Sequence, residues 1–216
     1  MIVHHCSQVS PEWYNLRKGI ATASAFHRIF KASTGEMSQS AGGYIKELVD
    51  DMLLQLPPYF TEQGHPIRSR GSAAMQRGKD LEWVARRWYE QKTGLRTWPV
   101  GFCTTDCGRF GCSPDALVGH DGGTEIKIYD DAVHAKWLEK REEVPMMHRA
   151  QVWASLWITG REWWDFVAYS ETQESFTVRV YQEDVPEWLP TCMEIFWQRY
   201  EAALSASGLR WEDRLR

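Results

Sequence analysis

The sequence predicts an α/β domain: a central mixed β-sheet with helices packed against it. Three observations carry that expectation. Apolar residues recur at helical spacing up to about Lys92, then shift to short β-prone runs broken by Gly and Asp. The elements then interleave, in the order ααα-α-βββ-αα-ββ-α, which calls for helices layered on a sheet. A chain of 216 residues, 43% of them apolar, is long enough for one domain with a sizeable core. A single domain over 1–216 is expected, its core about 12–182 and a C-terminal helix about 184–207.

Each element has a local reason. In "SPEWYNLRKG", Ser10 and Pro11 start a first helix, since serine caps and proline suits the first turn. "TASAFHRIFK" reads as a second. In "GGYIKELVDDMLLQL", Tyr44, Leu48 and Met52 fall four apart, giving a third. The tract Gln55–Gly71, with three prolines and two glycines, reads as a long loop or flap inside the domain. Ser72 to Lys92 is a long amphipathic helix with Leu81, Val84, Ala85 and Trp88 on one face and Gly94 as its stop. "RTWPVGFCTT", "CSPDALVG" and "GTEIKIY" read as three strands of a meander. Helices are expected at Ala132–Glu143 and Pro145–Thr159, a strand pair in "WWDFVAYS" and "SFTVRVYQ", and a last helix over Asp184–Ser207.

Composition narrows the class. No apolar run is long enough to span a membrane, and "MIVHHCSQVS" lacks the basic and apolar regions of a secretory signal. Five cysteines without framework spacing fit a reducing, cytosolic compartment. The net charge of −4 gives no global sign of a polyanion binder. Its distribution is uneven: Pro66–Lys92 holds seven Lys/Arg against three acids, and Glu171–Arg216 five against nine. That asymmetry fits either a molecule with a basic working side or ordinary solvated helix faces. Twelve tryptophans imply a large aromatic core, with a few left that could stack on nucleobases.

The chemistry concentrates in "GCSPDALVGHDGGTEIKIY" (Gly111–Tyr129). Strand alternation sets Glu125 and Lys127 on one face and turns Ile126 to the other. If the two strands pair, Asp115 reaches Glu125, and two carboxylates held together call for a hard cation such as Mg²⁺ or Mn²⁺. Charges at alternate positions also suit a solvent face, but Ile126 and Ile128 point to a strand near the core. Cys103, Cys107 and Cys112, spaced by four and five, read as small buried residues near strands. His4, His5 and His148 read as satisfied or exposed histidines.

"PD" at Pro114–Asp115, followed by "EIK" at Glu125–Lys127, resembles the PD-(D/E)XK nuclease superfamily. The likeness is closer to one branch, the lambda-type exonucleases of phage recombination (the alkaline exonuclease and viral recombinase branch). It runs in order through "EWYNLRKGIATAS" (Glu12–Ser24), "RGKDLE" (Arg77–Glu82), "CSPDALV…GTEIKI" and "HRAQVWASLWITGREWWDFVAY" (His148–Tyr169).

The resemblance implies a restriction-endonuclease-like fold and a site. Asp115 and Glu125 would be metal-binding carboxylates, joined by the Ile126 carbonyl, and Lys127 would position the nucleophilic water. Glu82 would add an acid from the long helix, although it also fits a surface acid paired with Arg86. Gln151 would contact the site, although a lone Gln there also fits a satisfied core amide. Arg17, Ser24 and Ser113 would bind the 5′-phosphate of a DNA end; Ser24 also fits a plain helix cap. The implied activity is a Mg²⁺-dependent 5′-to-3′ exonuclease on double-stranded DNA, with Mn²⁺ substituting and two ions per site. The implied setting is a homotrimer ring beside a single-strand annealing protein, in the cytoplasm of a bacterial host, of phage or prophage origin.

Overall fold

The computed structural model describes residues 1–53 and 73–215. The predicted loop Gln55–Gly71 and the first part of the basic stretch fall outside the described residues. From the N-terminus the chain forms β1 (Ile2–His4), α1 (Pro11–Arg17), β2 (Ala21–Thr22) and α2 (Ala41–Leu53). After the undescribed stretch come α3 (Ala73–Thr93), β3 (Thr97–Trp98), β4 (Phe102–Thr104), β5 (Phe110–Cys112), β6 (Ala116–Val118) and β7 (Gly122–Ile128). The rest is α4 (Asp131–Leu138), α5 (Met146–Thr159), β8 (Trp163–Tyr169), β9 (Phe176–Tyr181) and α6 (Leu189–Ala206).

The fold is α/β with a restriction-endonuclease-like core, but the strands divide between two sheets. The larger runs β3-β6-β7-β8-β9 and the smaller β1-β4-β5-β2. The three-strand meander of the sequence reading is therefore corrected. "RTWPVGFCTT" supplies β3 to one sheet and β4 to the other, and Ser113–Asp115 is where the chain passes from β5 to β6. The β7–β8 pair is parallel, Glu125 opposite Phe166 and Lys127 opposite Ala168. That direction requires a crossover, which α4 and α5 provide.

Other differences have local causes. "TASAFHRIFK" is a 3-10 helix over Ala23–Arg28. It stops because the Ile29 carbonyl accepts from Ser38 N–H and Phe30 bridges Met37, so a turn competes with further helix. The helix at Asp131 ends at Leu138, short of Glu143, before a charged stretch and Pro145. Pro145 lies outside α5, at its N-cap, and α5 ends on Gly160 in the left-handed region. The last helix begins at Leu189, after a 3-10 turn at Gln182–Asp184, because Pro186 disfavours helix in the residue before it. α1 starts as expected, Ser10 Oγ accepting from Trp13 N–H at 3.2 Å.

The sheet carrying β7 is covered on both faces. On one side α3 packs Ala85 and Tyr89 against Val118, Ile126 and Val167. On the other lies the main core, where Trp164, Phe166, Phe196 and Trp197 are fully or nearly fully buried. The Trp163 and Trp164 rings of β8 can lie over the start of β7 because it opens on Gly122 and Gly123. A Cβ on either would overlap the Trp163 or Trp164 ring. Trp83 and Trp98, more than half exposed, are not core. Among the described residues no helix is long and apolar enough to cross a membrane.

Candidate active site

β6 and β7 form the hairpin that holds the acids, with Ala116 opposite Thr124. Extending that register sets Pro114 opposite Ile126. Proline has no N–H, so Pro114 cannot donate to the Ile126 carbonyl. Its own carbonyl accepts from Gln8 Nε2 at 2.9 Å, and the Ile126 N–H is met by the Asp115 carboxylate, Oδ2 accepting at 2.5 Å. In a strand the C=O of a residue points to the same side as its N–H, so the Ile126 carbonyl also faces Asp115. The Pro-Asp pair thus ends the ladder and leaves two kinds of oxygen at its end.

Glu125 and Lys127 share the face of β7 that carries Phe166 and Ala168 of β8. Lys127 Nζ donates to Glu125 Oε1 at 2.5 Å; the Glu125 side chain is 4% exposed and that of Lys127 27%. A carboxylate this buried needs a compensating charge, and the lysine supplies one. The remaining negative charge is visible at its neighbours. Burial, then the charges of Glu125 and Glu82, hold the Asp115 carboxyl well above its usual range against Lys127 and the Ile126 N–H. Burial would lower the Lys127 ammonium, but the charges of Glu125 and Asp115 outweigh it and raise it.

Glu82 approaches from α3. Burial raises its carboxyl, Arg86 and Lys79 pull it down, and Glu125 pushes it up, so it lies within the field of the hairpin acids. Among the described residues Arg86 makes no hydrogen bond or ion pair with Glu82 and acts on it only through its charge. A Cβ on Gly78 would meet open space, so the helix is uncrowded above Glu82. Gln151 is half-buried on α5, and among the described residues no hydrogen bond satisfies its amide as the core reading required.

Arg17, Ser24 and Ser113 come together at the smaller sheet. Arg17 Nη1 donates to Ser113 Oγ at 3.0 Å and Nη2 to Thr22 Oγ1 at 3.5 Å, and Thr22 Oγ1 lies 3.4 Å from Ser24 Oγ. Ser24 is exposed in the second position of the 3-10 helix, so it is not that helix's cap. Two further members escaped the sequence reading. Trp13 Nε1 donates to Ser113 Oγ at 3.0 Å while its ring lies 4.1 Å under the Arg17 guanidinium, and Thr22 links Arg17 to Ser24. Trp13 was findable, since it stands four residues before Arg17 on one helix.

Ser113 and Asp115 are two residues apart at the crossing between sheets, so the hydroxyl pocket and the acidic hairpin are neighbours by covalent geometry. A scan against family models matches residues 12–162 to the YqaJ-like viral recombinase domain. The chain belongs to that family. A search of curated proteins gives no match. Among solved structures, this YqaJ-like chain resembles an alkaline exonuclease, LHK-Exo, from Laribacter hongkongensis. Identity is 28%, with 91% of this chain and 95% of the other covered and a TM-score of 0.74. A structure of LHK-Exo in complex with dAMP gives 29%, 89% and 93%, and 0.71. A phage-related exonuclease from Haemophilus somnus 129PT shares the fold at 16% identity, 90% and 99% coverage and TM-score 0.59.

The acids fit a divalent cation. The donors are hard oxygens, and the pair has more negative charge than Lys127 balances. Among the described residues no three His, Cys, Asp or Glu side chains are gathered at ligand spacing. The oxygens available to a cation at the YqaJ-like hairpin are those of Asp115, Glu125 and the Ile126 carbonyl, with Glu82 close enough to feel their charge. A site of one or two carboxylates completed by water and phosphate is what Mg²⁺ takes. The cysteines do not form a cluster: Cys103 and Cys112 face each other, buried, across β4 and β5, whereas Cys107 is exposed. The reading of three buried cysteines is corrected for Cys107.

Proposed function

We propose that this chain is a Mg²⁺-dependent exonuclease that degrades one strand of double-stranded DNA from its 5′ end. It would release 5′-mononucleotides and leave a 3′ single strand for annealing. The observation that carries the reading is the position of Ser113 and Asp115 on either side of the crossing between sheets. A terminal phosphate held by Arg17, Ser24 and Ser113 would lie next to the hydrolytic acids. A planar guanidinium with flanking hydroxyls suits a phosphate monoester, and that preference would set the 5′-to-3′ polarity.

Asp115, Glu125 and the Ile126 carbonyl would hold the metal, with Glu82 completing the acidic environment and Mn²⁺ able to substitute. One or two bound ions would neutralise the carboxylates and stabilise charge on the scissile phosphate. Lys127, fixed by Glu125, keeps N–H donors for the attacking water and for developing charge on phosphate oxygen. Gln151, from α5, would add a neutral contact to the substrate. Partners in this reading are double-stranded DNA ends and a single-strand annealing protein, within a bacterial host, the nuclease acting as a homotrimer ring.

Incubation with end-labelled linear, circular and dephosphorylated linear duplexes, with and without Mg²⁺, tests this. Digestion of linear DNA alone, faster from phosphorylated ends and only with the metal, is expected. Cutting of the circle would point to an endonuclease of the same superfamily, and equal rates on both ends would remove the phosphate pocket.

A further inference from the structure

Among the described residues, two side chains beside the acidic hairpin have buried polar atoms without a hydrogen-bond partner. Tyr129 follows Glu125 and Lys127 at the next alternate position, just past the end of β7. His148 lies on α5, one turn before Gln151, with its ring stacked on Phe166 at 5.4 Å. The two rings lie 6.0 Å apart between centroids. Tyr129 Oη and His148 Nε2 are both buried, and neither meets a hydrogen-bonding group of the protein among the described residues. Leaving one such atom unpaired ordinarily destabilises a fold, and two on neighbouring rings point to a shared partner.

Their surroundings say where that partner sits. The Tyr129 hydroxyl is in the field of Glu125, and the His148 imidazole is in that of the Lys127 ammonium. Burial, then Lys127, hold the imidazole down to about 4, so it is neutral near pH 7. A neutral imidazole nitrogen either donates or accepts, according to tautomer, and a phenol does both. A phosphate oxygen only accepts, so it suits one tautomer; a water molecule suits both. It also takes the two to four partners that Tyr129, His148 and a remaining Lys127 N–H provide.

We propose that Tyr129 and His148 are catalytic residues that, with Lys127, bind and orient the hydrolytic water. This rests on the nuclease reading above. The geometry assigns the hydroxyl and the ring nitrogen to fix the direction from which the water approaches phosphorus, while Lys127 supplies charge. Gln151, on the next turn of α5, then faces the substrate beyond them.

The test is Tyr129→Phe, which removes only the unpaired oxygen, together with His148→Leu and His148→Gln. Steady-state digestion of a 5′-phosphorylated linear duplex in Mg²⁺ should show kcat lowered about tenfold or more in Tyr129→Phe and His148→Leu, with KM unchanged. His148→Gln, which keeps a donor and an acceptor, should recover part of the loss. Thermal melting without metal should find Tyr129→Phe at least as stable as wild type, since a buried orphan hydroxyl is gone. A kcat equal to wild type in Tyr129→Phe overturns the inference whatever the histidine variants do. So does a melting point that falls in step with activity, because the hydroxyl would then serve the fold. Wild type and Lys127→Ala are run alongside: a wild type inert on linear DNA overturns the nuclease reading and this inference with it. An active wild type matched by Tyr129→Phe overturns this inference alone.

Discussion

One ammonium stands among three carboxyls at the hairpin, and that imbalance has consequences at the level of single residues. Without a divalent cation, Asp115, Glu125 and Glu82 repel. Asp115→Asn removes one charge yet keeps an oxygen for the Ile126 N–H, so it should melt higher than wild type in chelator. Mg²⁺ should raise the wild-type melting point and leave that of Asp115→Asn nearly unchanged; equal metal shifts would contradict the assigned ligand. His148 gives a pH dependence. Its folded-state value is about 4 against 6.5 unfolded, so the unfolded chain binds more protons between those values. Its contribution is intact above about pH 6.5 and lost as pH falls toward 4. Wild type should therefore lose more stability than His148→Gln between pH 7 and pH 4.5 in parallel melts; equal slopes would show that the ring is not buried neutral. Asp115, Glu125 and Lys127 were legible in the sequence because strand alternation fixes which charges share a face. Tyr129 and His148 were not, since a tyrosine at a strand end and a lone helical histidine resemble core residues until their polar atoms are followed in space.

At the scale of elements, the placing of Glu82 depends on how α3 is fastened to the sheet. Tyr89, two turns after Glu82, donates its hydroxyl to Asp165 of β8 at 2.6 Å. Arg179 of β9 binds the same carboxylate through Nε and Nη2, both at 2.8 Å, with its guanidinium 3.7 Å over Trp163. Asp165 is 1% exposed, so its charge survives only through these partners. Asp165→Ala strands the buried Tyr89 hydroxyl and leaves the Arg179 guanidinium without its carboxylate. A loss of about 3 kcal/mol in urea denaturation is expected, with lower exonuclease rate as α3 loosens. A change below about 1 kcal/mol would show that α3 is held by apolar packing alone. Neither the network nor the division into two sheets could be read beforehand. Asp165 sits inside an apolar strand with no local sign of its partners. β3 to β6 contribute only two or three residues each, too few for a period to assign a sheet. The long amphipathic α3 and the apolar β8 were readable because each repeats its pattern several times.

Across the whole molecule, basic residues gather before and within α3 and acidic ones after β8, so these two stretches of the chain differ in affinity for a polyanion. In the proposed ring, the basic side would line the DNA path and the acidic side would face outward. Native mass measurement at micromolar concentration should give three subunits, and a monomer would contradict the ring. Arg17→Ala should erase the preference for phosphorylated ends while leaving the basal rate on dephosphorylated ends, because the pocket is separate from Lys127 even though the Ser113–Asp115 crossing joins them. The most direct measurement is a time course on 5′-phosphorylated linear duplex in Mg²⁺, with DNA binding measured alongside for wild type, Asp115→Asn and Lys127→Ala. Mononucleotide release by wild type alone is expected, with all three proteins binding DNA; undiminished release by either variant would rule out Asp115 and Lys127 as the hydrolytic centre.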